Sequence, residues 1–242
     1  FFSNRKPKYI LCLITLMLKL IINRNYLLLS FQANIYVIIL AKIFNVQVIS
    51  RSNSSSIGWS KNPLKQIIFS FFFKKANKIL VNSYDFKNEM DKKYNINSLC
   101  ILNPFDFKKI KNKSYEKAKK IYKKKDSLKI ISVGRLTDQK DFLTLLKAIK
   151  ILKNKREVEL VIVGKGREKK RLEDYVLNEK LETYVRFIGY QKNPFKFIKQ
   201  ADIFILTSLF EGSPNVLVEA LFLKKYVIST DCPTGPREIL NN

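Results

Sequence analysis

Apolar residues in this chain come in short unbroken runs, and stretches of helical periodicity separate them. Residues 10–22 read as a buried helix, 26–30 as a buried strand, 35–44 as a helix and 46–49 as a second strand. Residues 65–75 look helical and 78–82 give a third strand. Ser83 then caps a helix running to Tyr94, and 99–104 form a fourth strand stopped by Pro104. Buried strands alternating with helices predict a parallel sheet joined by right-handed crossovers.

From residue 128 the alternation restarts. Strands are predicted at 129–134, 159–164, 185–189, 202–207 and 226–230, with helices between them. In the helix at 141–153, Phe142, Leu145, Leu146, Ile149 and Leu152 recur on one face, while Lys147, Lys150 and Lys153 take the other. The pattern is that of a second, Rossmann-like doubly wound domain.

Between these halves the composition changes. Residues 108–125 hold ten lysines and one acid, Glu116. Like charges at this density repel and seek solvent, so the stretch reads as an exposed linker or surface helix. The expected organisation is a first domain over 1–107, a lysine-rich linker over 108–127, and a second domain over 128–242 that lacks its end. The chain opens on Phe1-Phe2 and stops just after an element begins, so a piece of a longer protein is expected.

The formal net charge is +26 over 242 residues. It reads either as attraction to polyanions or as compositional drift, since Lys, Asn and Ile are abundant throughout. On either reading an anionic membrane face would attract the chain. A nucleic-acid partner is not expected, because only Tyr115 and Tyr122 accompany the lysine run as stacking platforms. Cys12, Cys100 and Cys232 lie far apart and form neither a metal motif nor a disulfide framework, which suits a reducing, cytoplasmic compartment. With no histidine, Ser-His-Asp and Cys-His schemes are excluded. Residues 10–22 are too short to span a bilayer and contain Lys19. Behind Arg5, Lys6 and Lys8 they mimic a signal peptide, but no small-residue cleavage site follows, so a core helix of a domain cut short at its front is expected.

Candidate chemistry sits where strands end. Ligands of open α/β sheets bind at the carboxyl ends of strands. There Arg51 opens a polar loop at 51–58, and Ser30 and Gln32 follow the first strand. Gly164-Lys-Gly166 lacks the third glycine of a dinucleotide fingerprint and follows the wrong strand, so a plain tight turn is expected. In Gly134-Arg135-Leu-Thr-Asp-Gln-Lys140, two cations five residues apart can neutralise a diphosphate. The strongest stretch runs from Leu206 to Glu219. Ser213 is a good N-cap and Pro214 suits the first helical position. Free N–H groups around Asn215, Val216 and Leu217 would attract phosphate. Gly212 would let a ligand approach the backbone. Glu211 and Glu219 flank the helix start with seven residues between them, and a carboxylate can accept two hydrogen bonds from neighbouring sugar hydroxyls. Capping with two solvated glutamates is the plainer reading of that spacing.

These motifs taken together resemble the retaining GT-B glycosyltransferases of family 4. Gly134-Arg-Leu…Lys140, Val163-Gly-Lys-Gly166, Phe187-Ile-Gly-Tyr190, Ala201-Asp202, Glu211-x7-Glu219 and Gly235-Pro-Arg-Glu238 match its C-terminal nucleotide-binding domain in order and spacing. The first half looks like the rear part of the N-terminal domain, more loosely. Residues 231–240 are similar to members that build lipid-linked oligosaccharides, capsules and lipopolysaccharide cores.

The resemblance implies a GT-B fold of two Rossmann-like domains facing a cleft. It also implies a nucleotide-sugar donor, with Arg135 and Lys140 holding the diphosphate, Glu211 contacting the transferred sugar, and Glu219 the ribose. Gly134, Gly212, Ser213, Asn215, Val216 and Leu217 would surround the phosphates, and backbone at Tyr190 and Gln191 would border the base. It implies retention of anomeric configuration, no metal and no cofactor. Transfer would be to a lipid-linked or surface glycan at the inner face of the cell membrane, most simply from a uridine-linked donor. Many relatives carry a histidine near the sugar, and this chain has none. Ser30, Gln32 and Arg51 are acceptor-side candidates. Two alternatives remain at this point: a basic membrane- or nucleic-acid-binding module with an inactive site, and a same-fold nucleotide-sugar epimerase. The intact Arg135, Lys140, Glu211 and Glu219 speak against the first, and the missing histidine against the second.

Overall fold

The computed structural model describes residues 6–31, 33–53 and 62–240. The chain divides into two compact units, between Leu102 and Asn103.

The first unit holds α1 (Lys6–Ile22), β1 (Leu27–Ser30), α2 (Asn34–Ile43), β2 (Gln47–Arg51), α3 (Pro63–Phe73), β3 (Lys78–Val81), α4 (Tyr84–Tyr94) and β4 (Ser98–Cys100). Its four strands pair in parallel in the order β1-β2-β3-β4. Ser83 caps α4 as expected, its hydroxyl accepting from the Phe86 N–H at 3.2 Å. In the front helix, Leu20 is fully buried against Ile38 and Ala41 of α2, while Leu11, Leu18 and Ile21 of α1 are exposed. Apolar periodicity alone cannot say how much of a helix finds a partner.

The second unit holds α5 (Phe107–Ser114), β5 (Leu128–Val133), a 3₁₀ turn (Asp138–Lys140), α6 (Phe142–Leu152), β6 (Val158–Val163) and α7 (Lys169–Asn178). It continues with β7 (Val185–Phe187), α8 (Phe195–Ile198), β8 (Ile203–Leu206), α9 (Asn215–Phe222), β9 (Tyr226–Ser229) and α10 (Pro236–Leu240). The sheet order is β7-β6-β5-β8-β9, all parallel. Each of the six residues of β6 is buried, as a central strand covered on both faces requires. One core layer packs Leu136, Phe142, Leu146 and Leu172 on Ile130, Leu160 and Ile162. The other packs Ile198, Phe204 and Leu217 on Ile131 and Val161.

The front of the lysine-rich stretch is a surface helix, one of the two expected forms, and the rest is not a solvated linker. The stretch forms α5, which buries Ile110, and then a segment that belongs to the core of the second unit. Ile121 and Tyr122 are buried there, and the Tyr122 hydroxyl donates to the Ile130 carbonyl at 2.9 Å. The N–H groups of Lys123 and Lys124 donate to the buried Glu159 carboxylate at 2.9 and 2.8 Å. Burial pushes the Glu159 carboxyl up, but those hydrogen bonds and that of Ser127 outweigh it and hold the group below its usual range. The lysine count hid two apolar anchors and a backbone that bonds inward.

Candidate active site

Chain order places a topological switch between β5 and β8. From β5 the chain winds outward through β6 and β7, then returns to β8 and winds the other way to β9. The loops leaving β5 and β8 therefore diverge, and a crevice opens between them at the carboxyl ends of the strands. Those loops carry residues 134–141 and 207–214.

Three hydrogen bonds join the two loops. Leu209 N–H donates to the Gln139 carbonyl at 2.8 Å. The Gln139 amide donates to the Phe210 carbonyl at 2.9 Å, and the Thr207 hydroxyl to the Lys140 carbonyl at 3.0 Å. This stitching seats the Lys140 ammonium on the Glu211 carboxylate, with side chains only 13% and 9% exposed. Ions removed this far from water demand compensation, and each supplies it to the other. Lys140 still has ammonium protons to offer, and Glu211 has further acceptor positions.

Glycines hold both loops in place from behind. Gly235 has φ +91°, and a Cβ there would lie 2.6 Å from the Gly212 carbonyl oxygen and 2.8 Å from Pro214 Cδ. Beside it the Thr234 hydroxyl donates to the Glu211 carbonyl at 2.6 Å. A Cβ on Gly164 would lie 1.8 Å from the Gly134 carbonyl oxygen, and one on Gly166 2.0 Å from that of Leu136. The Gly164-Lys-Gly166 turn thus lets two backbones touch and buttresses the 134–136 loop.

The remaining predicted residues fall as follows. Gly134 lies against the Lys140 stem, where a Cβ would make ordinary contact at 3.5 Å. Arg135 is exposed at the mouth, and among the described residues its guanidinium has no partner. Gly212 is buried. The Ser213 cap is corrected: α9 starts at Asn215, Pro214 is the capping residue with extended ψ 96°, and no side chain caps the turn. Leu217 is also corrected as a free donor, because its N–H reaches the Pro214 carbonyl at 2.9 Å and its side chain is core. The N–H groups of Asn215 and Val216 carry no such bond among the described residues. The Asn215 amide oxygen accepts from Asn103 at 2.6 Å. Glu219 lies in the second turn of α9, half-buried, and burial pushes its carboxyl above the usual range. Cys232 is buried close to the pair, and burial first, then the Glu211 charge, pushes its thiol up to about 11.

Tyr190 and Gln191 follow β7, two strands away from β5. Tyr190 is exposed under the Lys165 ammonium, 5.3 Å from its ring centroid. The Gln191 amide donates to the Ile188 carbonyl at 2.8 Å. In the first unit Ser30 and Arg51 meet through Asn34. The Ser30 hydroxyl donates to the Asn34 side-chain oxygen at 2.7 Å, and the Asn34 amide donates to the Arg51 carbonyl at 2.9 Å. The Arg51 guanidinium bonds Asn53 and the Ile101 carbonyl. Gln32 lies outside the described residues.

Sequence reasoning missed Asn34, Gln139, Thr207 and Thr234. Gln139, Thr207 and Thr234 stood inside stretches singled out above, but none of the four carries a signal of its own, since their roles depend on which segments become neighbours.

A model of the family described as "Glycosyl transferases group 1" matches residues 114–242, more than half of the chain. The chain belongs to the glycosyl transferases group 1 family. It is 35% identical over 222 residues to an uncharacterized glycosyltransferase of Methanocaldococcus jannaschii, covering 84% of this chain and 54% of that protein. It is 30% identical over 217 residues to the N-acetylgalactosamine-N,N'-diacetylbacillosaminyl-diphospho-undecaprenol 4-alpha-N-acetylgalactosaminyltransferase of Campylobacter jejuni, covering 86% of this chain and 58% of that enzyme. The chain therefore spans just over half the length of these curated relatives. Among solved structures, Anabaena HepE in complex with UDP and glucose aligns with TM-score 0.72 at 16% identity, over 90% of this chain and 63% of that one. The two parallel-sheet units of this chain are those of the GT-B fold.

Proposed function

We propose that the protein is a retaining glycosyltransferase of family 4 that moves a hexosyl or N-acetylhexosaminyl group from a UDP-sugar to a lipid-linked or surface-glycan acceptor. It would act without a metal, as a peripheral protein on the cytoplasmic face of the membrane. The observation that carries this reading is the buried Lys140–Glu211 pair at the switch point of the sheet, within the segment that matches the family. The Campylobacter relative named for a diphospho-undecaprenol acceptor and the HepE complex with UDP support the two substrate classes.

In this reading Lys140 turns its remaining ammonium protons to the donor diphosphate while Glu211 balances its charge. Arg135 closes on the same phosphates from the mouth by a bidentate fork. The open N–H groups of Asn215 and Val216 add the positive end of α9. Glu211 receives hydroxyls of the transferred sugar, Glu219 receives the ribose, and the base lies by Tyr190 and Gln191. The bond from the anomeric carbon to the β-phosphate oxygen breaks, and a bond to the acceptor hydroxyl oxygen forms on the same face. The acceptor proton passes to the leaving phosphate oxygen. Fixed cations aimed at that oxygen lower the barrier.

The test is incubation of the full-length protein with a panel of nucleotide sugars and lipid-linked acceptors, read by mass spectrometry. A mass increment of one sugar, absent with Glu211→Gln, is expected. Hydrolysis or epimerisation without transfer would overturn the reading.

A further inference from the structure

Charge is unevenly distributed along the chain. No aspartate or glutamate precedes Asp85, and the 84 residues before it carry twelve lysines and arginines. All twenty acids fall in the remainder. In the first unit only Asp85, Glu89 and Asp91 of α4 are acidic, and α1, α2 and α3 carry none.

In α3, Gln66, Phe69, Ser70 and Phe73 turn inward at helical spacing. A helix on a water-exposed surface should be polar on its other side. Instead Leu64, Ile67, Ile68 and Phe71 recur there at the same spacing, 65%, 66%, 45% and 57% exposed. Lys65, Lys74 and Lys75 border this stripe, all exposed, and the Lys75 ammonium lies 5.3 Å from the Phe71 ring centroid. α2 packs against both α1 and α3, so the three form one layer. The α1 helix repeats the pattern with exposed Leu11, Leu18 and Ile21 beside an exposed Lys19. Among the described residues no helix is long and apolar enough to cross a membrane.

Apolar stripes edged by lysines, on helices that themselves carry no acid, match a surface that lies in the headgroup boundary of a bilayer. The aliphatic stems of the lysines can follow the apolar surface while their ammonium groups reach lipid phosphates. A nucleic acid would be met by the cations alone and would leave the aliphatic stripe in water. We propose that the outer face of the α1–α3 layer is the docking surface for an anionic lipid bilayer. The proposal does not rest on the transferase reading, because its readout is partitioning and not turnover.

The experiment is flotation of the full-length protein with vesicles of phosphatidylcholine alone, or mixed with phosphatidylglycerol. Binding to the mixed vesicles is expected, and Ile67→Glu/Phe71→Glu should lower it by about tenfold or more. Lys74→Gln/Lys75→Gln should lower it a few-fold at low salt and converge with wild type at high salt. This second variant keeps the test open should the first fail to fold. Unchanged partitioning in a folded Ile67→Glu/Phe71→Glu variant would overturn the proposal. So would a wild-type dimer that this variant splits without losing vesicle binding, since a second copy would then cover the stripe.

Discussion

The Lys140 ammonium and the Glu211 carboxylate are ion-paired across 71 positions of sequence, each side chain about a tenth exposed. The pair exists because β5 and β8 are neighbours and their loops are stitched by Gln139 and Thr207. Two roles follow, one structural and one chemical, and they can be separated.

Lys140→Met leaves the Glu211 charge buried and unmatched, and should cost about 3 kcal/mol in urea denaturation. Lys140→Met/Glu211→Gln removes both charges and should recover most of that loss while remaining inactive. Additive losses in the double variant would show that the two groups do not depend on each other.

Glu219 gives a pH signature. Burial raises its carboxyl in the folded state above the ordinary glutamate range. Between the unfolded and folded values the folded state binds more protons, so stability falls as pH rises through that window. Below the unfolded value both states are protonated and the penalty vanishes. Glu219→Gln should therefore match wild type in acid and exceed it near neutral pH, as read by denaturant melts. Donor affinity should meanwhile fall roughly tenfold, through loss of a charged acceptor for the ribose. A stability difference that does not vary with pH would contradict the assignment.

Two glycines separate backbone strain from steric clash. Gly189 has φ +69° with nothing within 4 Å of an added Cβ, whereas Gly166, outside the left-handed region, would place its Cβ 2.0 Å from the Leu136 oxygen. Gly189→Ala should cost about 1 kcal/mol, the price of left-handed backbone. Gly166→Ala should cost more than about 2 kcal/mol, because the 134–136 loop must move. Equal costs would mean that the loops are not in register as described.

The strand–helix alternation was legible because parallel strands buried on both faces write unbroken apolar runs, as in Val158–Val163. Lys140 and Glu211 were each legible as residues at strand ends. Their contact was not, since it depends on which strands become neighbours. The Ser213 cap failed because Pro214, with φ −73° and ψ 96°, stays extended and delays the helix by one residue. An exposed apolar stripe and a buried one share a period, so periodicity does not tell which side of the front helix is covered, and in the lysine run the anchors Ile121 and Tyr122 were outnumbered.

The most direct test of the site is isothermal titration of UDP into the full-length protein at physiological ionic strength. Saturable binding that survives added salt is expected, because a desolvated site is screened less than a surface of net charge +26. Arg135→Ala/Lys140→Met should weaken it by roughly a hundredfold, through loss of two charge-assisted contacts to the diphosphate. Equal affinity in wild type and this variant would contradict the assignment of the donor site to the switch point.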